Sequence, residues 1–165
     1  MKIMNVFSDE KFRRIEKQPN YYGAVLPLAE LFGAEKLGFH LEVIDPGNFS
    51  APYHFHEQEE ELFLVIEGEA IVRHNNAFSK VKAGDMFFYP VGPESAHNMY
   101  NHTEKQFRFL GLCNISAEYD VCHYPDSGKV SSEEGFKQAG NTVSYFKDEE
   151  DPAKYWPEHA LRGDV

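Results

Sequence analysis

The sequence predicts an all-β domain, either a sandwich or a barrel of short strands. Apolar and polar residues alternate with a period of two over Leu37–Ile44, which is the spacing of a strand with two different faces. There is no regular alternation of strands with long amphipathic helices, so a βαβ architecture is not indicated. Further short strands are predicted at residues 53–55, 62–66, 70–73, 86–89, 98–100 and 107–112.

Turn-forming residues separate these predicted strands. Residues 45–47 (Asp-Pro-Gly) end the first strand, and residues 83–85 (Ala-Gly-Asp) lead into the strand that Pro90 closes. Asn75 and Asn76 are expected to form a hairpin turn, because asparagine tolerates positive φ. Regularly spaced strands with such turns favour a single β domain.

The two ends of the chain show less pattern. Residues 29–32 predict one short helical turn before Gly33. After Asn114 the alternation fades, and residues 131–134 are expected to cap another helical turn. The charged residues 147–151 are interpreted as a solvated loop. The aromatic pairs Tyr145-Phe146 and Tyr155-Trp156 are expected to fix the tail to the β domain or to a second subunit.

Composition excludes several classes of protein. The 165 residues include 27 acidic and 16 basic side chains, a formal net charge of −11, so neither nucleic acid nor an anionic membrane surface is an expected partner. The N-terminus lacks the apolar core of a signal peptide, and no apolar run reaches ~20 residues, so we expect a soluble cytoplasmic protein. Cys113 and Cys122 are interpreted as reduced structural thiols.

Three histidines and one glutamate form a candidate metal site. His54 and His56 are two residues apart and therefore point to the same face of a strand. Glu61 follows across a short turn, and His97 comes from a distant strand that must fold back beside the pair. Glu60 is the alternative carboxylate by strand phase. The other histidines are expected to be structural or exposed: His40, His74, His102, His123 and His159.

Such a site would bind one divalent ion. Mixed nitrogen and oxygen ligands suit Fe, Mn, Co, Ni, Cu or Zn, and the residues do not choose among them. One carboxylate against a divalent ion leaves a net charge of about +1, which favours a small anionic ligand at the open positions.

Strand parity also predicts residues of the pocket. Phe63 and Val65 follow Glu61 on the same face, and Met99 follows His97. Tyr89 and Asn101 are polar candidates for the same pocket. No general acid or base is identified from the sequence.

Two glycine-bounded motifs, residues 47–68 and 84–101, resemble those of the cupin superfamily. The resemblance implies that His54, His56, Glu61 and His97 are metal ligands. Four residues separate Gly92 from His97 where the motif usually has two. The segments PVGPESAHNMYN and YPDSGKV are similar to those of a single-domain bacterial cupin subgroup whose reaction is largely unassigned.

The resemblance also implies a fold. We expect one cupin domain over residues 1–165, with a jelly-roll barrel of the double-stranded β-helix type at about residues 35–115. Short helical or irregular extensions would flank it, and the tail at residues 116–165 would pack on the barrel or on a partner subunit.

Several functions share this architecture. The first hypothesis is a metal-dependent enzyme that isomerises, decarboxylates or oxygenates a small anionic metabolite, such as a sugar phosphate, keto acid or dicarboxylate. The alternative is a non-catalytic module that binds or senses a sugar or organic acid. A weaker third hypothesis is a structural or storage dimer with a vestigial site. A homodimer is expected in each case, because exposed strand edges benefit from being covered.

Overall fold

The computed structural model describes residues 1–7, 11–15 and 18–165, and this part of the chain confirms the all-β prediction. It contains fourteen strands and two short α-helices, α1 (Leu28–Phe32) and α2 (Glu158–Leu161). The strands are β1 (Arg13–Ile15), β2 (Gly23–Leu26), β3 (Leu37–Ile44), β4 (Phe55–His56), β5 (Glu61–Glu67), β6 (Glu69–His74), β7 (Ala77–Lys82), β8 (Met86–Tyr89), β9 (His97–Tyr100), β10 (Phe107–Asn114), β11 (Cys122–Tyr124), β12 (Lys129–Ser132), β13 (Gly135–Gln138) and β14 (Asn141–Val143).

These strands form three antiparallel sheets. The six-stranded sheet has the order β1-β2-β3-β10-β5-β8, and the three-stranded sheet has the order β7-β6-β9. A five-stranded sheet runs β14-β13-β12-β11-β4. β3 pairs with β10 along its whole length, from Leu37 opposite Asn114 to Ile44 opposite Phe107. Such long-range pairing places residues that are distant in sequence side by side.

The main core lies between the six-stranded and three-stranded sheets. Phe63 of β5 and Phe109 of β10 belong to one buried cluster with Val72 of β6 and Met99 of β9. Burying an aromatic or large aliphatic side chain of this kind contributes about 1.5–3 kcal/mol. We call the sheet surfaces that meet in this core the inner faces.

The outer faces of these sheets are covered as well. Ile71 is adjacent to Val72 and therefore points to the opposite face, where it packs in a cluster with Tyr21 and Trp156. Phe146 and Tyr155 pack against the same cluster, so the aromatic tail residues contact the three-stranded sheet of their own chain.

On β3, Phe39 and Leu41 point outward, and the alternate residues, which include the apolar Ile44, point inward. Leu41 is only 1% exposed and packs in an outer cluster with Leu26 and Leu28, beneath the N-terminal segment. His40 and Glu42 consequently lie on the inner face.

Most predicted elements are found at or near their predicted positions. β3 and β8 have the predicted bounds, and α1 ends at Gly33, whose φ of 73° is left-handed. Asn75 and Asn76 have φ values of 45° and 61° and connect β6 to β7, as the hairpin prediction requires. Both cysteines are free thiols. Within the described residues, no helix is both long and apolar enough to cross a membrane.

Two predictions for the tail are wrong. Residues 131–134 do not form a helical turn: Ser132 ends β12 and Gly135 begins β13, in a hairpin where these two residues are paired. Gly135 adopts a φ of 110°, which the hairpin needs and a helix does not. The charged run is not wholly solvated either, because Glu149 is 1% exposed and bound to the buried Lys129.

Candidate metal centre

Backbone pairing places the first and last of the four predicted ligands side by side. His54 N donates to the carbonyl oxygen of His97 at 3.1 Å, and His97 N donates to that of His54 at 2.9 Å. The two ring centroids are 4.9 Å apart. The predicted return of His97 to the first histidine pair therefore occurs in the fold.

An extra turn brings His97 to this position. Residues Pro93–Ser95 form one 3-10 turn after Gly92, which has a φ of 101°. The two additional residues in the second motif are taken up by this turn. Ser95 Oγ donates to the carbonyl oxygen of Gly92 at 2.6 Å and closes it.

The loop between His56 and Glu61 is anchored by side chains from two later segments. Asp120 Oδ1 accepts a hydrogen bond from Gln58 N at 2.8 Å, and Asn114 Oδ1 accepts one from Glu60 N at 2.7 Å. Both hydrogen bonds hold the loop through its backbone amides, not through its side chains. Glu60 itself is exposed, so the structure places Glu61 and not Glu60 at the site.

Candidate ligand atoms from three of the four predicted residues lie close together. His54, His56 and Glu61 each offer one nitrogen or oxygen atom, and these atoms lie within 4.8 Å of one another. Glu61 Oε2 is 3.4 Å from His56 Nε2 and 3.2 Å from His97 Nε2, so His97 adjoins the same group.

Protein acceptors engage the other ring nitrogen of each histidine. A proton held on Nδ1 leaves the Nε2 lone pair available to a metal ion, and such contacts also orient metal-ligating rings. The acceptors are the carbonyl oxygen of Pro52 for His54 (2.8 Å), Asp120 Oδ2 for His56 (2.5 Å) and the carbonyl oxygen of Ser95 for His97 (2.9 Å).

Two atoms at the centre of the group are buried without a hydrogen-bond partner. These are His56 Nε2 and Glu61 Oε2. An unsatisfied buried polar group costs about 1–3 kcal/mol, and a charged one costs more. A divalent ion would satisfy both atoms, so these residues fit a metal ion of the N/O-ligated class.

The charge states of these residues suit metal binding. Burial, together with the neighbouring His97, lowers the pKa of His54 to about 3, so the ring is neutral near pH 7. Burial acts to raise the pKa of Glu61, but the contacts with His97 and the other two histidines outweigh it and lower that pKa to about 2. The carboxylate is therefore ionised.

Acid should destabilise the metal-free protein because of these two pKa values. Below its ordinary pKa of 6.5, His54 takes up a proton in the unfolded chain but not in the folded one until about pH 3. Glu61 acts in the same direction below 4.5. We expect the unfolding temperature of chelator-treated protein to fall as the pH is lowered from about 6.5 to 3. A flat profile over that range would show that His54 is not held neutral.

Asp120 is a residue of the site that the sequence did not reveal. Its Oδ2 contacts His56 Nδ1, on the side of the ring opposite Glu61. Cys122 Sγ lies 3.3 Å from the same Nδ1 atom. Although burial opposes it, the hydrogen bonds from His56 and from the Gln58 backbone keep the pKa of Asp120 below its usual value. Asp120 is therefore an anionic acceptor that orients His56.

Replacing Asp120 with asparagine should weaken metal binding without removing a ligand. The loss of such a supporting partner typically lowers metal affinity about 10–100-fold. Competition with a chromogenic chelator would measure the change. Asp164→Asn is a control for general effects of charge, because Asp164 is exposed near the C-terminus. If both substitutions leave the affinity unchanged, Asp120 does not orient the ligand.

A small cavity of about 150 Å³ lies beside these residues on the inner face. Phe63 and Met99 line it, as strand parity predicted. Val65 lies in the core between the sheets, and Tyr89 stacks on His97 with 3.7 Å between ring centroids. Val65 therefore supports the wall of the cavity, and Tyr89 supports the ring of His97.

Asn101 does not face the cavity. Its side-chain amide donates to the carbonyl oxygens of Ile44 and Lys105, at 2.9 and 2.7 Å, and its oxygen accepts from Thr103 N. It is fully buried and fastens the loop after β9. This is a structural role, which its position in the second motif could not distinguish from a pocket role.

The histidines outside the ligand set have varied environments. His74 and His159 are exposed, His102 Nε2 lies 3.3 Å from Glu69, and the ring of His123 stacks on Phe55. His40 differs from the others because it lines the cavity, together with Glu42. From the sequence, His40 is expected to be structural or exposed, and no role is predicted for Glu42.

The structure is that of a small β-protein with a cavity on the inner faces of its sheets. Three histidines and one glutamate form a polar centre beside that cavity. A family model that describes the cupin domain matches residues 40–113 of this chain. Residues 40–113 therefore form a cupin domain. No functionally curated protein matches the sequence.

Solved structures share the fold at low sequence identity. A proposed sugar phosphate isomerase from Acidithiobacillus ferrooxidans superposes with a TM-score of 0.70 at 22% identity, covering 88% of this chain and 93% of that one. A cupin sugar phosphate isomerase from Silicibacter pomeroyi gives 0.67 at 22%, covering 74% and 80%. A predicted oxalate decarboxylase from Thermotoga maritima gives 0.57 at 24%, covering 68% and 100%.

Proposed function

We propose that this chain binds one divalent metal ion and uses it to act on a small anionic metabolite. Two observations together carry the proposal. His54, His56 and Glu61 each offer one nitrogen or oxygen atom within 4.8 Å of the others. His56 Nε2 and Glu61 Oε2 are also buried without a hydrogen-bond partner. The fixed Nδ1 contacts add to it, since they preorganise the rings. The proposed ligands are His54, His56, Glu61 and His97.

The charge of the centre favours an anion. One ionised carboxylate among neutral imidazoles leaves a divalent ion with a net charge of about +1, in a partly buried site where electrostatic attraction is stronger than in water. When bound, the ion would polarise an oxygen of the ligand as a Lewis acid. Apolar residues of the wall, such as Phe63 and Met99, exclude water from it.

The proposed reaction is an isomerisation, a decarboxylation or an oxygenation. The small cavity shares Glu42, Ser50 and Ala51 with a neighbouring one of about 590 Å³, whose lining includes Arg13 and Tyr145. The smaller space accommodates a keto acid or dicarboxylate, and the larger one adds room for a sugar phosphate. Similar folds occur in proteins described as isomerases and as an oxalate decarboxylase.

Metal analysis followed by turnover assays tests this function. Protein purified without chelators should contain about one divalent ion per chain, and its identity narrows the reaction, because iron favours oxygen chemistry. The metal-loaded protein is then assayed on sugar phosphates, keto acids and dicarboxylates. Turnover supports an enzyme, and ligand binding without turnover supports the alternative, a sensing or binding module. Protein that cannot be loaded with metal contradicts the proposed metal-dependent enzyme.

We also propose that the chain forms a homodimer. β8 is an edge of the six-stranded sheet, and its outward residues Met86 and Phe88 are 60% and 51% exposed. A symmetric partner would cover both this edge and these side chains. The aromatic tail does not supply this surface, because it packs on its own chain. A monomer in light scattering would contradict the proposal.

A further inference from the structure

The cavity has a second polar side that is separate from the proposed ligands. His40 and Glu42 are two residues apart on β3 and both line the cavity, which His54, Glu61 and His97 also line. The other large side chains around this space are apolar. A ligand at the metal centre would therefore meet one more polar surface, at β3.

A glycine makes room for this polar pair. Gly111 of β10 lies between His40 on β3 and Phe63 on β5 in the six-stranded sheet. A Cβ atom at Gly111 would lie 2.8 Å from His40 Cε1, closer than real Cβ contacts, and 3.1 Å from Phe63 Cε1, tighter than most of them. Because this Cβ is absent, the imidazole can occupy the inner face beside the cavity.

The pair is available to a ligand. His40 Nε2 and Glu42 Oε2 are 3.6 Å apart, beyond hydrogen-bond distance. Their side chains are 36% and 17% exposed, so both are reachable from the cavity. A carboxylate accepts hydrogen bonds and repels anions, and Glu42 therefore suits a hydroxyl donor and not a second anionic group.

We propose that His40 and Glu42 form a hydroxyl-recognition subsite, which makes small hydroxylated acids the preferred ligands of the cavity. The anionic group binds at the metal centre, and a hydroxyl elsewhere in the molecule donates to Glu42 while His40 contacts its oxygen. This proposal rests on the proposed metal centre. The subsite extends the proposed function, because it assigns opposite ends of the ligand to opposite sides of the cavity.

Matched pairs of acids that differ by one hydroxyl test the subsite. Calorimetry on zinc-loaded protein would compare propionate with 3-hydroxypropionate, and butyrate with 4-hydroxybutyrate. The two pairs test two distances between the carboxylate and the hydroxyl. Hydrogen bonds to charged groups are among the stronger ones, so in at least one pair the hydroxylated acid should bind at least about tenfold more tightly. Glu42→Leu should abolish this preference, and His40→Leu should reduce it.

A control variant separates the subsite from charge and from chelation. Glu118→Leu removes the same charge at an exposed position and should keep the wild-type preference. A preference that survives in Glu42→Leu and His40→Leu would come from chelation of the metal by the hydroxyl, and would overturn the proposal. The absence of any preference in metal-loaded wild type would overturn it too.

Metal content, measured on the same samples, distinguishes this failure from that of the proposed function. Wild type that carries metal but ignores the hydroxyl overturns the subsite alone. Wild type that takes up no metal overturns the metal centre, and with it the subsite.

Discussion

Replacing either His54 or His97 with alanine should reduce the bound metal from about one ion per chain to nearly none. Losing a supporting partner of a metal ligand already lowers affinity about 10–100-fold, so losing a ligand should lower it by more than about 100-fold. The two histidines lie on segments joined by backbone hydrogen bonds, which do not depend on their side chains. The fold should therefore survive both substitutions.

Elemental analysis of protein purified without chelators would measure this loss, and circular dichroism would confirm the fold. His159→Ala is the matched control, because His159 is exposed on α2, away from the proposed ligands. It should retain the wild-type metal content. Equal metal in wild type and in the His54 and His97 variants would show that the ion binds elsewhere or not at all.

The proximity of His54 and His56 could be predicted because strand geometry is local. A spacing of two residues places His54 and His56 on one face whatever the rest of the chain does. The parity of β5 and β9 likewise accounts for the placement of Phe63 and Met99 beside the cavity. These predictions need only the identity of the strands, which the alternation of apolar and polar residues provides.

The residues that support the ligands could not be predicted, because they come from distant segments. Asp120 reaches His56 only after β11 pairs with β4, and no spacing within a motif encodes that pairing. His40 and Glu42 were missed for another reason. Both faces of β3 are covered, so the more apolar face, which includes Leu41, is not the one that faces the core between the sheets.

The tail strands were missed because they are short and only partly buried. β11 to β14 have three or four residues each, too few for a periodic pattern to stand out. Their stability depends on tertiary contacts, and one of these is a buried ion pair between Lys129 of β12 and Glu149, which follows β14.

Replacing Lys129 with methionine should lower the free energy of unfolding by about 3–5 kcal/mol. The Lys129 side chain is 0% exposed and that of Glu149 is 2% exposed, so the substitution would leave a carboxylate buried without its partner. Lys129 Nζ also donates to Ser127 Oγ and to the carbonyl oxygen of Lys147, at 2.9 and 3.0 Å. Chemical denaturation, followed by fluorescence, would measure the loss.

Removing both charges should restore much of this stability, since replacing a buried ion pair by apolar residues is often neutral or stabilising. The double variant Lys129→Met/Glu149→Leu is therefore expected to be more stable than Lys129→Met alone. Lys137→Met is the control on the neighbouring strand, where the pair with Glu134 is exposed and contributes only about 0–1 kcal/mol. If Lys129→Met changes the stability no more than Lys137→Met does, the buried pair does not hold the tail to the five-stranded sheet. Because β11 of that sheet pairs with β4, which carries His56, a real loss should also loosen the proposed metal centre.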